Sequence, residues 1–275
     1  MGEKISPVTP AASGGSLDFC PSSRRLGALA GLVFVVLDIG GGVVHGSPPS
    51  PYATAAKITS FYREHHSAVL VSLVSAAIGF VVLIAWASVL TTELRAAGRH
   101  AAAGTLLASI TGAAAVSVLS GGVEVGVAQA AVHSSPDPEF ARGAYLLACY
   151  LYPTPYLFVA LAAAAVVLGG SGILPLWFAW LSGIVGVLNV LGGVSVTASG
   201  FFAANDGGAI VFAGLALAVW VIAASWRLWR RRPLPEPLLP VHLVTAADGR
   251  SDRTRVGRLV RILLDSFASL QPSTG

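Results

Sequence analysis

Long runs of apolar residues, separated by short polar stretches, dominate the chain between residues 26 and 230. A helix that spans a bilayer needs about 20 predominantly apolar residues. Six runs reach that length: 26–45, 68–91, 103–131, 144–169, 174–200 and 208–229. The pattern therefore predicts an all-α fold, an integral membrane bundle of six transmembrane helices.

Polar segments flank the predicted six-span domain of residues 26–230. Residues 1–25 are polar and contain Pro and Ser, which predicts a disordered cytoplasmic N-terminal tail. Residues 231–275 begin with a Pro-rich linker and continue with apolar residues at helical spacing opposite a row of arginines. This cytoplasmic tail is predicted to contain a basic amphipathic helix, which either lies on anionic lipid or docks on the protein's own loops.

A short amphipathic segment lies between the first two spans. Its Ile58, Phe61 and Tyr62 give it one partly apolar face. Because a helix of this kind binds at a membrane interface, we expect a short helix along the outer surface.

Two prolines interrupt the fourth span. Pro153 and Pro155 each lack a backbone N–H, which predicts a kink or local unwinding of that helix. Such a break is tolerated at membrane depth only where neighbouring groups or water satisfy the freed carbonyls. The sequence therefore predicts an irregular, polar point inside the bundle.

The composition agrees with a chain surrounded by lipid. Hydrophobic residues make up 55% of the sequence and charged residues 11%, whereas soluble domains carry about 25% charged residues. The lipid bilayer is the expected partner, no nucleic-acid partner is predicted, and the oligomeric state is left open. Cys20 and Cys149 fall on opposite sides of the membrane in this topology, which argues against a disulfide within one chain.

Positive charges near the ends of the spans predict the orientation, because cytoplasmic loops retain Lys and Arg. Eight arginines flank the spans on the side of the N-terminus, against three Lys or Arg on the other side. Tryptophans mark the same interface at the start of the fifth span and the end of the sixth: Trp177, Trp180, Trp226 and Trp229. We expect a multi-pass protein of a bacterial plasma membrane with both termini cytoplasmic.

Two acidic residues lie inside predicted spans, Asp38 in the first and Glu124 in the third. An ionised group at the centre of a spanning helix costs about 2.5–3.5 kcal/mol on insertion scales, so such groups mark candidate sites. At about 1.5 Å per residue, both acids fall in the outer half of the bilayer, where they would face each other or a shared water-filled cavity. The alternative for Glu124 is a structural hydrogen bond to hydroxyls or freed carbonyls of a neighbouring helix.

Four of the six histidines lie at the outer ends of the first three spans: His45, His65, His66 and His133. Together with the two carboxylates they suggest a proton relay or a metal site. Their spacing matches no compact ligand motif, because the adjacent rings of His65 and His66 point apart on a helix. The sequence therefore predicts no metal and no other cofactor.

Two further features of the spans are interpreted as helix packing. Asn189, mid-way along the fifth span, predicts a hydrogen bond between helices rather than a ligand contact. Gly122 and Gly126 form a GxxxG pair beside Glu124, which predicts close packing of another helix. Room for a substrate is the alternative interpretation of the glycines.

Motifs of phosphate, dinucleotide, metalloprotease and serine-hydrolase sites are missing, so no enzymatic activity is predicted. The leading hypothesis is a non-enzymatic membrane protein that binds or moves a small molecule or proton through a polar, outward-facing cavity around Glu124 and Asp38. Two alternatives stay open. One is a membrane-bound metal or haem redox protein or enzyme that uses the outer histidines, and the other is a membrane scaffold or subunit.

The start of the fifth span, "LPLWFAWL", carries a resemblance. Leu-Pro, one variable residue, Trp, and then a second Trp followed by Leu resemble a family of uncharacterised bacterial multi-pass membrane proteins that carry a domain of unknown function. The similarity covers about residues 58–230, and Phe178 and Ala179 stand where such proteins often have Leu-Gly. The resemblance implies the membrane architecture and brings no catalytic residue. The matching residues are Leu174, Pro175, Trp177, Trp180 and Leu181.

Overall fold

Backbone groups inside a membrane must be satisfied without help from water, and helices satisfy them internally. The computed structural model describes residues 21–133, 137–170, 172, 174–197, 199–204 and 207–230. Within these residues the chain is helical, and its only β-pairing is an isolated bridge between Thr197 and Ala203. The helices are α1 (Pro21–His45), α2 (Ala55–Glu64), α3 (His66–Ala96), α4 (His100–His133), α5 (Pro138–Leu151), α6 (Thr154–Gly170), α7 (Leu176–Gly193) and α8 (Gly208–Arg230). The predicted all-α class is confirmed.

Six helical stretches are long and apolar enough to cross a membrane, by length and composition. The fourth of them comprises α5 and α6 with the break between them. The prediction of six long apolar helices that could span a membrane is therefore confirmed, while the side on which the termini lie stays a prediction. The six stretches are Ser23–His45, His66–Ala96, His100–His133, Glu139–Gly170, Leu176–Gly193 and Gly208–Arg230.

Several predicted bounds differ from the structure: the second span, predicted over 68–91, extends over His66–Ala96, and the fourth, predicted to begin at residue 144, begins at Pro138. Residues 21–25, predicted as the end of a disordered tail, already belong to α1. The fifth span was predicted to reach residue 200, but α7 ends at Gly193. Two successive glycines weaken the helix there, and the chain then turns back through a short bridged loop. The remainder of the N-terminal tail and the C-terminal tail with its basic helix lie outside the described residues.

The six spanning stretches pack as a closed ring. In chain order α1 contacts α3, α3 contacts α4, α4 contacts α6, α6 contacts α7 and α7 contacts α8, and α8 returns to α1. The helices approach closely where a side chain is missing. A Cβ at Gly31 would overlap Ser225 Oγ and lie 2.6 Å from Trp86 Cδ1, so glycine allows α1, α3 and α8 to meet.

Two apolar clusters fill the opposite ends of this ring, which we name after α1 the Arg24 end and the His45 end. The larger cluster lies toward the Arg24 end, where Trp86 and Trp220 pack edge to face with ring centroids 5.5 Å apart. The smaller cluster joins α2 to α3, α4 and α5 at the His45 end. Its members are Ile58, Tyr62, Val69, Val127, Ala128, Ala131, Tyr145 and Cys149.

Candidate functional site

A cavity of about 260 Å³ lies inside the ring, between the two apolar clusters. Residues of α1, α3, α4, α5, α6 and α8 line it, whereas α7 contributes none. His45 and Gly46 mark one end of the cavity. Phe34 and Leu217, both members of the larger cluster, mark the other end. The cavity therefore extends from the His45 end toward the middle of the bundle.

Glu124 reaches this cavity from α4 and accepts two hydrogen bonds on the same oxygen. The Tyr62 hydroxyl donates to Oε1 at 2.6 Å, and His45 Nε2 donates to the same atom at 2.9 Å. The Glu124 side chain is 15% exposed, so it remains in contact with the cavity. The residue thus joins three helices, α1, α2 and α4. Its bond to the Tyr62 hydroxyl is of the kind expected under the alternative interpretation of Glu124, a structural hydrogen bond to a neighbouring helix.

The helix α2 positions Tyr62 through its own amphipathic spacing. Ile58 and Tyr62 stand one turn apart on one face, and both are fully buried. Thr54 begins the helix, since its hydroxyl accepts from the backbone N–H of Lys57 at 3.4 Å. Burial raises the pKa of the Tyr62 hydroxyl far above its usual range, and the charge of Glu124 raises it further. Tyr62 therefore keeps its proton and acts as a donor.

Asp38 lines the same cavity from α1, two turns before His45. Its carboxylate has no hydrogen-bond donor among the residues that the structure describes, in contrast to Glu124. The two acids of the spans therefore share one cavity, as the sequence suggested, but they differ in their surroundings. One is held by protein donors and the other faces the open volume.

The loop after α1 closes over the cavity at the His45 end. Gly46 and Pro48 line the cavity, and the carbonyl of Pro49 accepts a hydrogen bond from the buried Tyr145 hydroxyl. The hydroxyls of Tyr52 and Tyr150 also pair, at 2.8 Å. Both contacts tie the loop to α5, so α5 and this loop form one wall together.

The break between α5 and α6 coincides with the two prolines of the fourth span. α5 ends at Leu151 and α6 begins at Thr154, and the Pro153 carbonyl accepts from the backbone N–H of Tyr156 at 3.1 Å. Tyr152 and Tyr156 flank the break, and Pro155, Tyr152 and Tyr156 all line the cavity. The irregular backbone therefore faces a cavity, as expected at membrane depth.

The four histidines at the His45 end do not converge on one point. His45 bonds to Glu124, whereas His65 stacks on Phe61 at 4.7 Å. His66 and His133 meet edge to face with centroids 6.3 Å apart. Within the described part of the chain no three His, Cys, Asp or Glu side chains are grouped as metal ligands.

Asn189 lies outside the cavity, fully buried between α7 and α8. Its Nδ2 donates to the carbonyl of Val185 at 2.9 Å and to the carbonyl of Ala213 at 3.4 Å. The second bond crosses to the neighbouring helix. Asn189 thus has the surroundings of a residue that connects helices.

The predicted close packing at Gly122 and Gly126 is wrong within this chain. Both glycines are exposed, and a Cβ added to either would meet no atom within 4 Å. The face of α4 that carries them points away from the ring, because Glu124 turns toward the cavity and lies two residues from each. The glycines are neighbours of Glu124 along the chain, but two residues along a helix lie on nearly opposite faces.

Tyr62 is a part of the site that the sequence did not single out. The sequence pattern placed Tyr62 on the apolar face of a surface helix, one turn after Ile58. The only signal of its role was that this apolar face includes a hydroxyl group, which needs a hydrogen-bond partner when buried. The resemblance to bacterial multi-pass proteins stays a prediction. No protein-family model, no curated protein and no solved structure matches this chain, so the interpretation of the site rests on its geometry.

Proposed function

We propose that this chain is an integral membrane protein that binds a small molecule or proton, without covalent chemistry, in the cavity inside its ring of spans. The observation that carries the proposal is the pair of carboxylates, Glu124 and Asp38, on one cavity of about 260 Å³. Ligand sites are typically concave, largely apolar and provided with few polar groups that converge. This cavity has that composition.

The energetic cost of the cavity supports the same proposal. Empty volume forfeits packing contacts, and a carboxylate inside a span is costly as well. Close packing is possible in the same ring, since Trp86 and Trp220 are fully buried in the larger cluster with ring centroids 5.5 Å apart. A costly arrangement that the fold does not require is typical of a binding site.

The direction of access is part of the proposal. The bias of Lys and Arg predicts that the Arg24 end is cytoplasmic, so the cavity would be reached from the outer face. The tryptophans agree, because Trp226 and Trp229 are exposed at the Arg24 end and the Arg230 guanidinium lies 4.2 Å from the Trp226 ring centroid. Such aromatic residues anchor a span at the interface.

A cavity-filling variant tests the proposal. Ser117 lines the cavity, and Ala115 is exposed on the outward face of the same helix. A library of small metabolites is screened against the wild type in nanodiscs by the shift of the thermal midpoint. We expect ligands whose shift is lost in Ser117→Phe and kept in the control Ala115→Phe. Ligands that act equally on both variants, or none at all, would contradict the proposal and favour a scaffold.

A further inference from the structure

We propose that the ligand of the cavity is a small organic cation, held between the Asp38 carboxylate and the rings of Tyr152 and Tyr156. The inference rests on the proposed function, since it names the class of molecule that the same cavity takes. It follows from the charges, the aromatic surfaces and the volume of the site.

The charges of the lining favour a cation. The described lining contains the carboxyl groups of Asp38 and Glu124 and the imidazole of His45, and neither Lys nor Arg is present there. At membrane depth charges interact strongly because little water screens them. An anionic ligand would be repelled by two carboxylates, and a neutral ligand would leave Asp38 unpaired.

Asp38, rather than Glu124, is the free partner. Glu124 already accepts two hydrogen bonds, and removing either would cost the bundle a link between helices. Asp38 has no donor within the described structure, and it lies about 10 Å before His45 along α1, deeper in the bundle, at about 1.5 Å per residue. An ammonium group placed at Asp38 would supply the missing positive charge and donors.

Two aromatic rings of the cavity lining offer surfaces to which a cation can bind. Tyr152 and Tyr156 pack edge to face with centroids 6.4 Å apart, and both line the cavity at the break of the fourth span. The face of an aromatic ring attracts a cation within about 6 Å, more strongly where water is excluded. The faces of these rings carry partial negative charge and therefore disfavour a phosphate or carboxylate placed over them.

The far end of the cavity suits the apolar part of such a ligand. Phe34 and Phe80 line it, and their rings pack with centroids 6.1 Å apart. A volume of about 260 Å³ is at or below the lower limit for ligand sites, which is about 300 Å³. The ligand is therefore a compact molecule, an alkyl or aryl ammonium ion rather than a large drug-like cation.

A series of matched probes tests the class of ligand. The wild type in nanodiscs is titrated calorimetrically with 2-phenylethylammonium, benzyltrimethylammonium, 2-phenylethanol and 3-phenylpropionate, and empty nanodiscs are subtracted. We expect binding of the two cations and none of the alcohol or the acid. Asp38→Asn should weaken cation binding about tenfold or more, because charge-assisted contacts are the strong ones. The exposed Glu139→Gln is the matched control and should bind as the wild type does.

A second pair of variants guards against misfolding of Asp38→Asn. Tyr156→Phe keeps the ring and should retain binding, whereas Tyr156→Leu should lose most of it. Cation binding that is absent, or unchanged in Asp38→Asn and Tyr156→Leu, overturns the inference. If the alcohol or the acid binds and Ser117→Phe abolishes that binding, the cation class is wrong while the binding cavity stands. If no probe binds and the metabolite screen with Ser117→Phe also finds nothing, both proposals fail.

Discussion

At the scale of single residues, Glu124 shows how a costly group becomes part of a fold. A carboxylate in a span is tolerated when donors are placed around it. Here two donors from different helices meet one oxygen, Oε1. The residue is therefore both a link between helices and a wall of the cavity, and the two roles are separable by experiment.

The link between Tyr62 and Glu124 should be measurable as a coupling energy. Tyr62→Phe removes the hydroxyl, and Glu124→Gln removes the charge that strengthens the bond. We expect a double-mutant cycle, measured by unfolding of detergent-purified protein, to yield a coupling of about 1 kcal/mol. The cycle Tyr52→Phe with Glu124→Gln is the control, because Tyr52 pairs with Tyr150 instead. A coupling near zero for Tyr62 would contradict the hydrogen bond.

The pKa of Tyr62 predicts a change of stability at alkaline pH. Burial and Glu124 raise the pKa in the folded protein above the value of the unfolded chain, which is about 10 for tyrosine. The stabilisation that Tyr62 supplies is then complete below about pH 10 and is lost as the pH rises further, because only the unfolded state releases the proton. We expect the difference in thermal midpoint between wild type and Tyr62→Phe to be constant from pH 7 to 9 and to shrink above 10. A difference that shrinks already at neutral pH would be inconsistent with this.

At the scale of helices, missing side chains decide how closely the spans approach. α1 contains several glycines, yet they differ in their surroundings. Gly31 faces Trp86 and Ser225 across two neighbouring helices, whereas Gly40 faces open space. The sequence alone does not distinguish them, because both lie in the same apolar run.

Alanine at these two glycines should have opposite effects. Gly31→Ala forces a methyl group against Ser225 and Trp86, and overpacking of this kind costs about 1–3 kcal/mol. Gly40→Ala meets no neighbour and gains up to about 1 kcal/mol in helix propensity. We expect the thermal midpoint to fall for Gly31→Ala and to stay or rise for Gly40→Ala. A fall of equal size in both variants would contradict the packing of α1 in the ring.

At the scale of the whole molecule, closure of the ring creates the cavity. Each spanning stretch contacts the next, and α8 returns to α1, so six helices surround a common interior. The larger apolar cluster fills that interior toward the Arg24 end only. What remains toward the His45 end is the volume lined by the acids and the tyrosines.

The orientation of this molecule in the membrane can be measured directly. In a background of Cys20→Ser and Cys149→Ser, single cysteines are placed at Ser50, after α1, and at Ala97, after α3. Both positions are exposed in the structure. We expect a membrane-impermeant maleimide to label Ser50→Cys in intact cells and Ala97→Cys only after permeabilisation, because positive charge stays cytoplasmic. The reverse pattern would place the cavity on the cytoplasmic side.

The class of the fold was predictable from sequence because its cause is local. About 20 consecutive apolar residues satisfy their own hydrogen bonds as a helix and suit a bilayer, whatever the rest of the chain does. The proline break of the fourth span follows in the same way from the chemistry of Pro153 and Pro155. The position of the two acids, Asp38 and Glu124, within their spans is likewise a matter of counting along the chain.

Which face of each helix turns inward was decided by the tertiary structure alone. Spans in lipid have apolar residues all round, so periodicity carries little information about the inner face. That is why Gly122 and Gly126 were assigned to packing but face outward, and why Tyr62 emerged as a donor to Glu124 only in the folded chain. Counting along the chain is enough to locate the two acids inside the spans. Ring closure decided that they share one cavity, because it brings together helices that are distant along the chain.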